Sequence, residues 1–220
     1  MINKLRGLFS KDKKMQIESL EFSVPDSLIK NFISQAKQKI ESEGWGKQGR
    51  NVEVKIRNFV QCWITEEAFK QILIKKKKWF RYRGLYFGDA EGAGADFMVR
   101  IKGKDTSIGI RSISLESLNR WKSVAYPDDR FRDEKDNAQK SKISGTSKSV
   151  GGIADYHIVC SQEKGQVKFY GIINKEDLLD RLEKSQRRYS PKNQEWFRIV
   201  PLAEFKFGQL VGLINSLNAV

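Results

Sequence analysis

Between residues 70 and 83 the chain reads Lys-Gln-Ile-Leu-Ile-Lys-Lys-Lys-Lys-Trp-Phe-Arg-Tyr-Arg, with seven bases and no acid. Ammonium and guanidinium groups neutralise phosphates, and aromatic faces stack on splayed bases. Lys75, Lys76, Lys77, Lys78, Arg81 and Arg83 are therefore candidate nucleic-acid contacts, interleaved with Trp79, Phe80 and Tyr82. The same pattern equally fits aromatics in the core with only the lysines in water. The whole chain leans the same way: 41 Lys and Arg against 27 Asp and Glu give +14 over 220 residues. Such an excess favours polyanions, whether DNA, RNA or an anionic membrane face.

Other chemistries find less footing. Cys62 and Cys160 are the only cysteines and lie far apart, so a disulfide framework or zinc site is not expected, and a reducing cytoplasm fits. His157, the single histidine, alternates with Tyr156 and Ile158 as a packed strand residue would. Gly88-Asp-Ala-Glu-Gly-Ala-Gly94 lacks the Gly-Lys-Ser/Thr ending of a phosphate-cradling loop and precedes a strand pattern. Tyr126-Pro-Asp-Asp-Arg-Phe-Arg-Asp-Glu134 reads as a turn into a solvated helix. No apolar run reaches the ~18 residues of a membrane span. The first ten residues are basic and mildly apolar but too short for a signal peptide, and read as a frayed terminus more readily than as a small amphipathic arm.

The elements that must position these residues follow from periodicity. A helix is expected after Pro25, with Asp26 or Ser27 capping it and Leu28, Phe32, Ile33, Ala36 and Ile40 at helical spacing. A second covers roughly 60–77, its start blurred by the strand-like alternation Val52-Glu-Val-Lys-Ile56. Short β-rich runs at 85–87, 95–101 and 107–113 come next, separated by turn residues. The polar stretch 115–152 reads as one or two helices plus a loop. Strands at 155–160 and 166–173, a helix capped by Asn174, a strand at 197–200 and a last helix near 210–217 complete the order. This predicts an α/β fold with a central mixed sheet and helices on its faces. Residues 1–50 are expected to form an N-terminal arm and helix, and 51–220 the α/β domain with its polar insertion.

Four pieces, in order, carry a family likeness. They are Ile64-Thr-Glu-Glu-Ala-Phe69, Gly94-Ala-Asp-Phe-Met-Val99, Ile108-Gly-Ile-Arg-Ser112, and the pair Asp155-Tyr-His-Ile-Val-Cys160 and Lys168-Phe-Tyr-Gly-Ile-Ile173 before Lys175-Glu-Asp177. From about Glu66 to Leu178 the chain resembles the PD-(D/E)XK nuclease superfamily of restriction enzymes and junction resolvases. The resemblance implies a three-layer restriction-endonuclease-like core and Mg²⁺- or Mn²⁺-dependent cleavage of DNA. It implies Glu66 from the opening helix and Asp96 from the first active-site strand as metal ligands. It also puts Arg111 on the scissile phosphate, joined by Ser112, and admits a homodimer. In such chemistry a hard cation held by carboxylates stabilises the charge that develops at phosphorus and orients a water.

The sequence departs from the family where the motif is most informative. An acidic residue, any residue, then lysine is usual, yet Gly109 and Arg111 stand there. Glycine offers no side-chain ligand, and arginine stays protonated and cannot accept a proton. Two readings follow. Either the carboxylate comes from elsewhere (Glu66, Glu67, Asp89, Glu91 or Glu116), with Lys122 as replacement lysine, or the core binds nucleic acid without cutting it. A basic membrane-surface or adaptor domain, using the first ten residues and the lysine cluster, is a third class.

Overall fold

A computed structural model describes residues 19–43, 51–84, 95–129, 131–132, 153–191 and 195–220. The longest helix, α2 (Val52–Lys75), follows α1 (Asp26–Glu43). It begins where the Asn51 side-chain oxygen accepts the Glu53 N–H at 2.8 Å. Val60, Trp63, Ile64, Ala68, Phe69, Ile72 and Leu73 are all buried along it, the stripe a helix needs to lie on a sheet. The alternation at 52–56 therefore does not make a strand. Those residues form the opening turns of α2, because a cap and a continuous helical stripe outweigh local β preference. α1 rests on α2, with Phe32 edge-on to Trp63 at 6.0 Å between ring centres.

Among the described residues the strands are β1 (Leu20–Ser23), β2 (Phe80–Tyr82), β3 (Phe97–Ile101), β4 (Lys104–Ile113), β5 (Ser123–Pro127), β6 (Tyr156–Glu163), β7 (Gln166–Asn174), β8 (Arg188–Ser190) and β9 (Glu195–Pro201). Six of them form one sheet in the order β1-β7-β6-β4-β3-β2. Only the β4–β6 pair in it is parallel, with Gly109 opposite His157 and Arg111 opposite Val159. The α/β class and the mixed sheet are thus as the sequence suggests. A smaller antiparallel sheet, β5-β9-β8, is not anticipated by the sequence pattern. Its strand β5 lies inside the stretch read as helices and loop, just after a π-helical turn at Ser117–Trp121. The expected strand at 85–87 and most of the insertion, 133–152, lie outside the described residues.

The two faces of the large sheet bury different clusters. On one, α1, α2 and the C-terminal helix α4 (Phe207–Ser216) enclose Phe69, Phe97, Ile108, Ile158, Cys160 and Leu210. On the other, α3 (Lys175–Lys184), the small sheet and the π-helical turn enclose Ile113, Tyr126, Val159, Tyr170, Leu178, Leu182 and Val200. Asn174 caps α3 as expected, accepting the Asp177 N–H at 2.8 Å. Gly171 is where the chain beyond β9 crosses β7: a Cβ there would meet the Phe205 carbonyl oxygen at 2.6 Å.

One expectation fails in its solvation, although 128–129 and 131–132 are helical as read. Asp128, read as part of a turn into a solvated helix, is 0% exposed. Its carboxylate takes Arg198 Nε at 2.7 Å, Arg187 Nε at 2.7 Å and Arg132 Nε at 3.2 Å. A buried charge persists only when it is paired and hydrogen-bonded. Here three arginines pair with the carboxylate, and Arg198 Nε makes the hydrogen bond, to Oδ1.

Candidate active site and nucleic-acid surface

The two expected cation ligands come together from separate elements. Glu66 lies on the sheet-facing side of α2, and its Oε2 accepts the Tyr82 hydroxyl at 2.8 Å. Tyr82 is held by β2, where alternation turns Phe80 and Tyr82 inward and Arg81 outward; its ring stacks on Phe97 at 4.9 Å. Asp96 stands at the bend before β3, fixed on three sides. Its carbonyl accepts the Arg83 N–H, and its N–H donates to the Ile108 carbonyl, each at 3.0 Å. Its Oδ2 accepts the Ile110 N–H at 2.6 Å. The carboxylate so takes a β4 N–H that lies beyond the start of β3, a structural role open to an aspartate at a strand start.

Electrostatics report the convergence. Burial raises the Glu66 carboxyl well above its ordinary value, and the nearby Asp96 charge raises it further. The Tyr82 hydrogen bond and the Arg83 charge pull it partly back. Burial, then the Glu66 charge, also raises the Tyr82 hydroxyl. Alongside, Gln61 Nε2 donates to Ser112 Oγ at 2.8 Å, tying α2 to β4. Two carboxylates forced to repel each other suit a divalent cation. Mg²⁺ in particular keeps several waters and takes one or two carboxylates plus substrate phosphate oxygens. Among the described residues no group of three or more His, Cys, Asp and Glu side chains is placed to hold a metal.

Arg111 belongs to another neighbourhood. Along β4, Ile108 and Ile110 turn toward the α2 cluster, while Ile113 belongs to the other. Arg111 shares the Ile113 side, with its guanidinium 4.8 Å over the Tyr126 ring. Gly109 faces the same way, beneath buried His157. An added Cβ would touch the imidazole Cε1 and Nδ1 at 3.4 Å and the Ala154 Cβ at 3.6 Å. These are ordinary van der Waals contacts, so a longer side chain at 109 would lie directly against the ring. His157 itself meets Tyr126 edge-on at 5.5 Å, a packed histidine.

The substitute carboxylates fare as follows. Glu67 is buried and taken by Lys70 and by Gln71, whose Nε2 donates to it at 2.6 Å. Glu116 is exposed and pairs with Arg120 at 3.6 Å. Asp89 and Glu91 lie outside the described residues. Lys122 is exposed and closes the π-helical turn with φ 45°, its carbonyl accepting the Leu202 N–H. Sequence reasoning places Tyr82 only among the interleaved aromatics and misses its hydrogen bond to Glu66, for which the signal is the inward alternation with Phe80.

The basic run divides by role. Lys75, Lys76 and Lys77 are exposed. Lys78 instead donates its ammonium to the carbonyls of Asn215 at 3.0 Å and Leu217 at 2.8 Å, closing the end of α4. Phe80 and Tyr82 are packed against Phe97. Trp79 carries the Arg100 guanidinium at 4.2 Å, with Arg81 at 6.0 Å, and Asp105 binds both arginines. If the exposed lysines track a phosphate backbone, replacing all three by glutamine will flatten the log–log salt dependence of binding. The change on duplex DNA is about 0.9 for each phosphate no longer neutralised. Lys78→Gln will leave that slope alone and loosen the C-terminal helix. An unchanged slope for the triple variant would mark the run as a merely solvated face.

Comparison with protein-family models, curated proteins and solved structures finds no match to this chain.

Proposed function

We propose that this chain is a divalent-metal-dependent endonuclease-like protein acting on DNA, on a restriction-endonuclease-like core, with Glu66 and Asp96 as the cation-holding pair. The observation that supports it is the approach of those two carboxylates from α2 and from the start of β3, at a cost in repulsion felt at Glu66. Perturbed carboxylates at the meeting of elements are a recurrent mark of functional sites. A bound Mg²⁺ would supply charge neutralisation at phosphorus and a positioned water. Tyr82 would orient Glu66, and Arg83, whose charge already reaches Glu66, would meet the phosphate. Arg111 on Tyr126 would serve the fold.

Nicking of supercoiled DNA that appears with Mg²⁺ or Mn²⁺ and vanishes with chelator is the expected result. The competing reading is a nucleic-acid-binding module without catalysis, favoured by the packing of His157 over Gly109 where the family carries an acid. Salt-sensitive binding with no cleavage of DNA or RNA under any divalent ion would select it.

Stability gives a second test. A carboxyl raised on folding binds its proton more tightly in the native state, so the native state loses stability as pH climbs above 4.5, the ordinary value, and through the raised one. Glu66→Gln will remove that decline and be more stable than wild type at neutral pH without metal. Mn²⁺ at about a hundred times its Kd should stabilise wild type by about 2.7 kcal/mol and Glu66→Gln hardly at all. Equal Mn²⁺ stabilisation of both proteins would remove Glu66 from the ligand set.

A further inference from the structure

Three partly exposed tryptophans each lie against an arginine: Trp79 with Arg100, Trp121 with Arg120 at 4.9 Å, and Trp196 with Arg187 at 4.2 Å. Trp196 differs in having a second exposed ring beside it. Tyr189 on β8 stands directly opposite on the antiparallel ladder, with ring centres 5.2 Å apart. The two residues are 47% and 44% exposed. Arg187 is no loose side chain, because its Nε is fixed at 2.7 Å on the buried Asp128 carboxylate. A chain of interactions thus runs from the second core through Asp128 and Arg187 to an aromatic pair held at the surface.

We propose that Tyr189 and Trp196 form a stacking platform for the unpaired bases of single-stranded nucleic acid, with Arg187 engaging a neighbouring phosphate. The inference rests on the nucleic-acid reading above and specifies the form of polymer this surface takes. Aromatic faces stack on any base, and flanking cations meet the backbone. The guanidinium seated on the indole adds its charge beside the stack. Preorganisation by Asp128 lowers the ordering cost that a mobile aromatic would incur on binding. The net charge of +14 supplies the matching polyanion preference.

The test measures binding by the full chain in chelator, so that cleavage plays no part. The probes are an oligothymidylate of about 12 nucleotides, within the usual single-strand site size, an abasic strand of equal length, and a duplex. The Tyr189→Ala, Trp196→Ala double variant should bind the oligothymidylate roughly 5- to 150-fold more weakly. Its affinity for the abasic strand should not change, and Trp196→Phe should bind near wild type. Equal loss on both strands, or no loss, overturns the platform. Should the double variant not fold, wild type photo-crosslinked to an iododeoxyuridine oligonucleotide decides: adducts at Tyr189 or Trp196 support the platform, and adducts only elsewhere overturn it. Base-dependent binding by a chain that never cleaves would remove the nuclease and leave the platform. Base-independent binding by a chain that nicks duplex would do the reverse.

Discussion

Asp128→Ala is expected to destabilise the fold by about 3 kcal/mol, the low end of the range for breaking a buried ion pair. The carboxylate is fully buried and meets three guanidinium groups, but the consequences of losing it are uneven. Arg132 and Arg187 are 59% and 39% exposed and can turn to water. Arg198 is only 17% exposed and cannot. It keeps hydrogen bonds to the carbonyls of Leu182 and Ser185, each at 2.9 Å, and its place 4.7 Å over Phe131, which moderates the loss. The same guanidinium links β9 to the end of α3, so its misplacement loosens the second core. At 2–4 °C per kcal/mol for a chain of this size the melting point should fall by roughly 6–12 °C. Asp128→Asn, which keeps the shape and an acceptor, should lose less. A fall of under about 1 kcal/mol in denaturant titration would show that the arginines, and not the pair, hold this corner.

Such a centre is hard to read in the sequence, and the reason is physical. Tyr126-Pro-Asp-Asp-Arg has the composition of a solvated turn, and burial of its first aspartate depends on Arg187 and Arg198, some sixty to seventy positions away. Local pattern carries no trace of that. Elements that supply their own signal are legible: the stripe along α2 and the Asn174 cap of α3 are both local. Strands β1, β5 and β8 are three to five residues long and lie at or beyond the sheet edges, so they carry too little alternation to register. Strand β4 shows the same limit at the site. Its alternation separates Ile108, Ile110 and Ser112 from Gly109, Arg111 and Ile113. Which set faces α2 is decided by the packing of another helix. Glu66 and Asp96 could thus be placed together, while Arg111, expected beside them, instead lies on Tyr126.

The division at β4 gives the most decisive experiment on catalysis. Asp96→Asn is expected to lower Mg²⁺- or Mn²⁺-dependent cleavage by at least about 100-fold, the scale on which removing a single aligned electrostatic group acts. Asparagine keeps an oxygen for the Ile110 N–H but removes half the charge that would hold the cation. DNA binding should persist or tighten, since a charge repelling phosphate is gone. The same change should let the Glu66 carboxyl fall toward its ordinary value, because the Asp96 charge is one of the causes that raise it. The stability decline above pH 4.5 should then become shallower. That readout moves even if the chain never cuts, so it tests the pairing apart from the chemistry. Arg111→Lys is the companion variant. It restores the residue usual in the nuclease superfamily, yet lysine cannot lay a planar cation on Tyr126. With Arg111 in the second core, the variant should lose stability, on the order of 0.5–2 kcal/mol for the cation–ring interaction, and leave cleavage where it was. A rise in cleavage with no loss of stability would instead place Arg111 beside the phosphate, and the Glu66–Asp96 site would have to extend through the sheet to meet it.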